Sequence, residues 1–576
     1  MNLLTDPWLQ AGLADGSALR SDRPDDVLPE QSVRRLLLEA DKFTDIVVDL
    51  PTQKAAIYRQ VLLPLVVDAI GRPADAAEWL RMFQAGAFTA RQRTDLADYL
   101  DKHQHLFNLF DPLDPFAQVA DLHTAKGDTK GSALLVATAA TGNNVPLFSS
   151  RTEADALELT PAQAARWLIH THCWDTAAIK TGAVGDPMAK SGKTTGNPTG
   201  PLGQLGVTMP IGANLYQTLL LNIPYGQALL QDDLPQWRRR AKEGDVRETL
   251  SCATPAWQTR AARGLLDIWT WQARRIRLIP EETPDGPRVT RVLVAAGDRL
   301  DLNPDTEPHT AWITDPPAGA RSRAPSARSA AAKTARPRRH LPGRAGWRGL
   351  DALLAIQALD QDRGATATRR GFTSSRALRQ LSDISRRLPY RYPLRVELTG
   401  ITYGNQSAVI EDVYFDDIPL PVTALDPDGD VYGALLGVVQ QAEDLATALN
   451  HLSGDLRRAV GSEPIPWDKG QRPGETLLHA LDPVVRRLLA GLCKAGDDFD
   501  RCEQGLEAWE AKAEQITWRV AEGLFTTAPP TAFTGRKIKK DGKEQVYRLN
   551  TAEAAFRSRL ATILRRRAAA RSTSER

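Results

Sequence analysis

Between Lys180 and Gly212 the chain reads KTGAVGDPMAKSGKTTGNPTGPLGQLGVTMPIG, with eight glycines, three lysines, one acidic residue (Asp186) and no aromatic residue. Glycine loses more backbone entropy on folding than any other residue, so a run this rich is seldom maintained by core packing alone. What glycine permits is close approach of bare N–H and C=O groups to a partner. Lys180, Lys190 and Lys193 interleave with the glycines, which makes a polyanion the expected partner. The stretch is expected to be a loop built for contact; a flexible linker of the same composition is the other reading.

A phosphate-binding loop is the tempting interpretation, and it fails. Ser191-Gly192-Lys193-Thr194 ends like GxxxxGK[ST], but the first glycine should stand at 187, where the chain has proline. Gly185 comes two residues too early, and Pro187 removes one N–H donor from the cradle.

A chain of 576 residues has room for two or three domains. Its 42% hydrophobic and 25% charged residues are globular values. Net charge is only +3, so nucleic-acid contact must come from local patches. The four cysteines, Cys173, Cys252, Cys493 and Cys502, include no CxxC pair, which favours a reducing compartment over a zinc ribbon. The N-terminus MNLLTDPWLQ lacks the apolar run of a signal peptide, and no stretch is apolar enough to span a bilayer. A soluble cytoplasmic protein is expected, with no membrane partner.

The expected fold class is α+β: a large mixed N-terminal α/β domain (1–425) carrying a β-hairpin, then a C-terminal four-helix bundle (426–576). Residues 50–120 are helical by spacing, running into a packed turn at Phe107–Val119. Residues 161–174 and 214–222 read as helices, the first amphipathic with Ala164, Ala165, Trp167 and Leu168 on one side. Alternation from Ile268 to Leu302 predicts strands around a PDG turn. Leu394–Phe415 predicts two strands joined at Gly404-Asn405-Gln406. Amphipathic runs at 431–460, 476–495, 498–525 and 551–570 supply the four helices. Residues 316–350 hold nine Arg and Lys, from Arg321 to Arg348, with no acidic residue before Asp351. A mobile basic loop at about 316–345 that follows a phosphate backbone, and a solvated linker without a fixed partner, are both open.

Enzymatic constellations are weak. His170, His172 and Cys173 lack both the CxxC and the HxE glutamate of a deaminase-like zinc site, and helix-end histidines are more often satisfied core groups. The aspartates at 416, 417, 426, 428 and 430 read as loop solubilisers and a helix start. Composition places a binding protein ahead of an enzyme.

The order of pieces then carries a resemblance over nearly the whole chain. MNLLTDPWL, FDPLDPFAQV, GNNVPLFSSRT, IKTGAVGDP, LYQTLLLN, WTWQARRIRL and YGNQSAVIED, followed by helices, resemble the large subunit (CasA type) of the type I-E CRISPR surveillance complex, Cascade. The resemblance implies a non-catalytic DNA- and RNA-binding subunit of an antiviral complex. Such a subunit recognises a protospacer-adjacent motif in double-stranded target DNA from the minor-groove side, starts R-loop formation and helps recruit a helicase–nuclease effector. The implied partners are the backbone and small Cascade subunits, the CRISPR guide RNA and target DNA; no cofactor is implied.

Carried over by position, the motif-reading loop falls on Gly182, Ala183, Val184 and Gly185. The duplex wedge falls on Asn405 and Gln406, and the guide-RNA handle and anchoring loop on Asn143, Asn144 and Phe148. Lys180, Lys190, Lys193, Arg291 and Arg299 are the candidate phosphate contacts. Glycine backbone suits the narrow minor groove, and a glutamine is long enough to enter a base step.

Two departures from the family stand out. Where some relatives carry a cysteine-rich zinc insertion, this chain has IPEETPDGPRV, so no metal is expected. The family's motif-contacting lysine aligns with apolar Val294–Ala296, leaving Arg291 or Arg299 as substitutes. The rival class is a stand-alone nuclease or nucleotide-dependent DNA-processing enzyme.

Overall fold

The computed structural model describes residues 1–14, 29–139, 157–239, 259–301, 307–314, 335–355, 371–466, 470–540 and 543–566. The chain divides into two compact units. The first comprises Met1–Arg344, Ala355–Ile384 and Arg395–Asp417; the second comprises Ala345–Leu354, Ser385–Leu394 and Ile418–Arg576.

In the first unit, the helical pattern after residue 50 becomes Pro51–Ile57, one π-helical turn at Tyr58–Leu62, and Leu63–Ile70. Pro64 explains the turn: it has no N–H for the carbonyl four residues back, and its ring would clash there. The helix widens, and the Leu63 N–H donates to the Tyr58 carbonyl.

The helix Pro161–Trp174 starts on a reciprocal capping box between Thr160 and Gln163, with Pro161 in the first turn. Sequence predicted an amphipathic helix, yet it is buried almost all round, from Ala162 to Trp174 except Gln163. Burial is tolerable because its polar side chains find partners. Arg166 donates to the Trp8 carbonyl at 2.8 Å, and His170 Nε2 lies 2.9 Å from Thr52 Oγ1. His172 Nε2 donates to the Ala117 carbonyl at 2.8 Å.

Strands Arg274–Thr283 and Gly286–Ala296 form a long antiparallel hairpin, with Gly286 at φ +92° taking the left-handed turn position. The strand was expected to begin at Ile268, but Leu265–Trp269 is a short helix. It buries Leu265, Leu266, Ile268 and Trp269 before the strand starts. Strand Lys180–Thr181 adds parallel to this hairpin through Ala295, and Lys193–Thr194 pairs antiparallel beyond it. The glycine-rich stretch therefore leaves and returns at the edge of a sheet.

The second predicted hairpin is Arg395–Tyr403 with Ile410–Pro419, and Val207–Ile211 flanks its first strand. The 214–222 helix is found at Leu215–Asn222, capped by Asn214.

The second unit holds four long helices, Asp430–Ala459, Pro473–Ala495, Phe499–Thr526 and Leu549–Ile563. The first packs on each of the other three. Its Gln441 accepts from the Trp509 indole at 2.8 Å and donates to Glu510 at 2.9 Å, satisfying polar atoms inside an apolar seam. The two-stranded hairpin Arg536–Lys540 and Lys543–Tyr547 precedes the last helix and was not anticipated from sequence.

Candidate nucleic-acid interface

The hairpin tip is rigid and strained. Gly404 N–H donates to the Val409 carbonyl at 2.9 Å, Ser407 N–H to Gly404 at 2.8 Å and Ala408 N–H to Asn405 at 3.0 Å. Inside these bonds Gln406 and Ser407 adopt φ of +52° and +55°, the left-handed region that non-glycine residues avoid. Asn405 and Gln406 are exposed. An exposed side chain on a backbone held in this conformation fits a protruding contact better than a relaxed turn.

The glycine loop is held from beneath. Asp186, its single acidic residue, has a fully buried side chain that accepts from Arg275 at 2.6 Å and from the Met188 N–H at 2.9 Å. Val184 N–H donates to the His123 carbonyl at 3.0 Å, and Gly182 N–H to the Gly192 carbonyl at 2.9 Å. These placements correct the expectation of a four-residue reading surface. Gly182 and Ala183 are buried, and Ala183 packs with Val119, Leu122, Leu293, Ala295 and Ala296. Core packing thus maintains half of a segment whose composition argued against it. Only Val184 and Gly185 are exposed, and Gly185 has φ +76°. Gly182 is needed for space instead: an added Cβ would lie 2.9 Å from Ala189 Cβ and Gly192 C.

Lys180 is corrected more sharply. It was a candidate phosphate contact, but it is 8% exposed and its ammonium bonds Asp175 at 2.7 Å. Asp175 also accepts from Arg274 Nε, and the same guanidinium donates to the Thr176 and Pro198 carbonyls at 2.8 Å each. Burial alone would raise the Asp175 pKa, but Lys180 and Arg274 outweigh it and bring the carboxyl down to about 2. Lys180 therefore fixes the loop's base.

The same short segment reaches the hairpin. Ala177 N–H donates to the Ser407 carbonyl at 2.8 Å, and Tyr403 Oη donates to the Trp174 carbonyl at 2.6 Å. A cleft of about 310 Å³ lies here, with Thr176, Lys180 and Thr181 on one side and Ala408 and Ile410 on the other. Residues more than two hundred positions apart in sequence line it together.

The remaining candidates are placed individually. Lys190 and Lys193 are exposed on a tight backbone pair, Lys190 N–H to the Lys193 carbonyl at 2.8 Å and its reciprocal at 3.0 Å. Arg291 is exposed on the strand Gly286–Ala296 and donates to the Thr129 carbonyl at 2.7 Å. Arg299 donates to the Thr195 carbonyl at 2.8 Å, midway along the glycine stretch. Val294–Ala296 are buried. Asn143, Asn144 and Phe148 lie outside the described residues, as do Arg321, Arg323, Arg328 and Lys333. Arg348, read as part of the basic run, is instead ion-paired with Glu443 at 2.8 Å and Glu475 at 3.2 Å. Asp426 and Asp428 pair with Arg386, and Asp417 with Arg395. Among the described residues no three His, Cys, Asp or Glu side chains cluster as a metal site, and no helix is long and apolar enough to cross a membrane.

Sequence reasoning missed Asp175, Arg274, Arg275 and His123. Arg274-Arg275 at the start of a strand that continues into Ile276, Leu278 and Ile279 was the available signal, since adjacent buried arginines require acidic partners. Asp175 just before the glycine run and Asp186 inside it were the nearest acids.

The base of the glycine loop and the return strand of the hairpin line one cleft in a mixed helix-and-strand unit, and long helices follow in sequence. The sequence model of the family described as CRISPR-associated protein Cse1 matches residues 2–520. The chain belongs to this family, the CasA-type large subunit of the Cascade surveillance complex. It is 27% identical over 567 residues to CasA/Cse1 of Thermus thermophilus, covering 94% of this chain and 98% of that relative. The crystal structure of Thermobifida fusca Cse1 superposes with a TM-score of 0.74 at 31% identity, over 98% of both chains. Cse1 of Acidimicrobium ferrooxidans gives a TM-score of 0.74 at 28% identity, again over 98% of both.

Proposed function

We propose that the cleft recognises a protospacer-adjacent motif in double-stranded DNA and opens the first base step beside it. The observation that carries this reading is the Ala177–Ser407 hydrogen bond, which ties the hairpin tip to the segment leading into the glycine loop. A reader and a wedge must act on neighbouring base pairs, so they need a fixed mutual position. Val184 and Gly185 lay backbone in the minor groove, where a degenerate code makes recognition permissive. Gln406 enters the base step below, at a cost of a few kcal/mol that phosphate contacts from Lys190 and Lys193 offset.

On this reading the subunit is non-catalytic. It works within an assembly of backbone and small subunits on a CRISPR guide RNA, and it helps recruit a helicase–nuclease. The four long helices form a bundle against the small subunits, and Asn143, Asn144 and Phe148 contact the guide's handle.

The test is Gln406→Ala in the assembled complex. R-loop formation on linear duplex should slow while assembly is unchanged, with a smaller effect on negatively supercoiled DNA, because supercoiling supplies part of the opening energy. Equal rates on linear DNA would remove the wedge. Cleavage of labelled DNA by the isolated chain with divalent metal would favour the rival nuclease.

A further inference from the structure

Two arginines of the first unit, Arg72 and Arg376, meet across a glycine with no carboxylate between them. Arg72 follows the helix Leu63–Ile70 and gives both Nε and Nη2 to the Gln227 carbonyl, Nε at 2.8 Å. Arg376 opens the helix Arg376–Ile384 and donates from Nη2 to the Tyr225 carbonyl at 3.2 Å. Gly226 lies between those two carbonyl groups, at φ +145°. A Cβ built there would sit 3.4 Å from Arg376 Nη2 and 3.6 Å from Arg72 Nη2, so the guanidiniums flank one bare backbone position. All three residues are half-buried, within reach of solvent.

The charges around this position do not balance. Arg379 stands three residues after Arg376 on the same helix face, and its Nε is buried without a hydrogen-bond partner among the described residues. Among those residues none of the three arginines forms an ion pair. Asp233, the carboxylate that acts on Arg72, already accepts from the Asp267 N–H at 2.9 Å and from the amides of Leu266 and Leu265. Asp383 is engaged by Tyr225 Oη at 2.6 Å. The first turn of the helix holds no acidic residue, although a helix N-terminus favours anions and repels cations. Burial, and after it Arg376, lowers the Arg72 pKa; burial, and after it Arg379, lowers that of Arg376. Partly buried like charges without counter-charge are costly, and an anion among them removes the cost.

We infer that Arg72 and Arg376, facing each other across Gly226, form a binding site for a phosphate dianion, free or as the phosphomonoester of a small molecule. Two forks arriving from different elements suit a tetrahedral oxyanion, which offers oxygens in several directions, whereas a planar carboxylate meets one fork at a time. Glycine leaves the space that any side chain would fill. None of these residues belongs to the proposed reader or wedge, so the inference stands or falls apart from that reading.

The experiment is a thermal-shift titration of the full-length chain with sodium phosphate, sulfate and acetate at matched ionic strength, repeated with adenosine monophosphate and adenosine. Phosphate and sulfate should raise the melting temperature along a saturable curve, and acetate should not. Arg72→Gln and Arg376→Gln should each raise the phosphate Kd about tenfold or more, the loss expected for a charge-assisted hydrogen bond. Arg91→Gln, which removes the same charge from a side chain 92% exposed, and Gln406→Ala should leave it parental. Tighter binding of adenosine monophosphate than of phosphate, with adenosine inert, assigns a phosphomonoester. Equal or weaker binding assigns inorganic phosphate, and either result supports the site. Should a glutamine variant melt abnormally without anion, Arg376→Lys decides: it keeps the charge, loses the fork and should still weaken phosphate severalfold. Equal shifts from acetate and phosphate, or a parental Kd in these variants, would overturn the inference. A loss of duplex affinity in Arg376→Gln with no response to the small anions would also overturn it and make the arginines a contact for the DNA backbone.

Discussion

The amide of Ala177 donates to the carbonyl of Ser407 at 2.8 Å, and this one bond joins the segment entering the glycine loop to the tip of a hairpin more than two hundred residues later. Two residues before Ala177 stands Asp175, which holds Lys180 and Arg274. Position at both tips therefore depends on a stretch that touches neither base nor phosphate in the proposed reading.

Asp175→Asn should expose that dependence. It leaves two buried cations without their counter-charge, a loss on the order of 3 kcal/mol. Thermal melting should show the destabilisation. In the assembled complex, motif discrimination and opening rate should fall together, while the salt slope of DNA binding stays parental. A variant that lost stability but kept both activities would show the triad to be structural only.

Gly182 and Gly185 should separate. Gly182→Ala forces a Cβ to 2.9 Å from Ala189 Cβ and backbone at Gly192, so it should lower the melting temperature. Gly185→Leu is exposed and costs roughly 1–2 kcal/mol for its left-handed φ, but it places a side chain where backbone should approach the groove. It should abolish motif preference with a smaller change in stability. Retained discrimination in Gly185→Leu would move the reader elsewhere, with Val184 and Lys190 the nearest exposed candidates.

What sequence could deliver differed between elements, for physical reasons. Helix Pro161–Trp174 announced itself through Thr160, Pro161 and Gln163, because capping is a local hydrogen-bond requirement. The hairpin at 404–407 was legible because its turn chemistry is local too. Lys180 was misread because a lysine's exposure depends on a partner brought by tertiary structure, here Arg274 and Asp175 acting together. Arg348 was misread for the same reason, its carboxylates lying about a hundred residues away. The hairpin Arg536–Lys540 and Lys543–Tyr547 was missed because its lysines masked a weak alternation. The cleft itself, which joins residues near 180 to residues near 406, follows from long-range pairing that composition cannot express.

Stability should fall with acid before Asp175 titrates. Burial lowers the pKa of His170 to about 3, against the pull of Asp175, and of His172 to about 4, against the carbonyl of Ala117. Burial and then Arg59 bring His309 to about 3. Each is neutral in the folded chain and becomes protonated in the unfolded chain below about pH 6.5. The unfolded state then binds more protons, so stability is full above that pH and declines as pH falls toward 4. Melting temperature should drop between pH 7 and 5, in a range where Asp175 remains ionised. A flat profile over that interval would mean that these histidines stay neutral on unfolding or are solvated in the native chain.

Lys190 and Lys193 should position DNA without reading it. Both are exposed, and the reciprocal bonds between their backbones fix where the two side chains leave the glycine-rich stretch. A lysine ammonium is a point charge without the fork that distinguishes base edges, so its gain comes from released counterions. Lys190→Gln with Lys193→Gln should therefore weaken motif-bearing and motif-free duplexes by the same factor. The salt slope should fall by about 0.9 for each phosphate that is no longer neutralised. Gln406→Ala should do the reverse, leaving the slope intact and changing the opening rate, so a double-mutant cycle between the two sets should be additive within ~0.5 kcal/mol. A loss confined to the motif-bearing duplex would make the lysines readers, and an unchanged slope would make them solvent-facing.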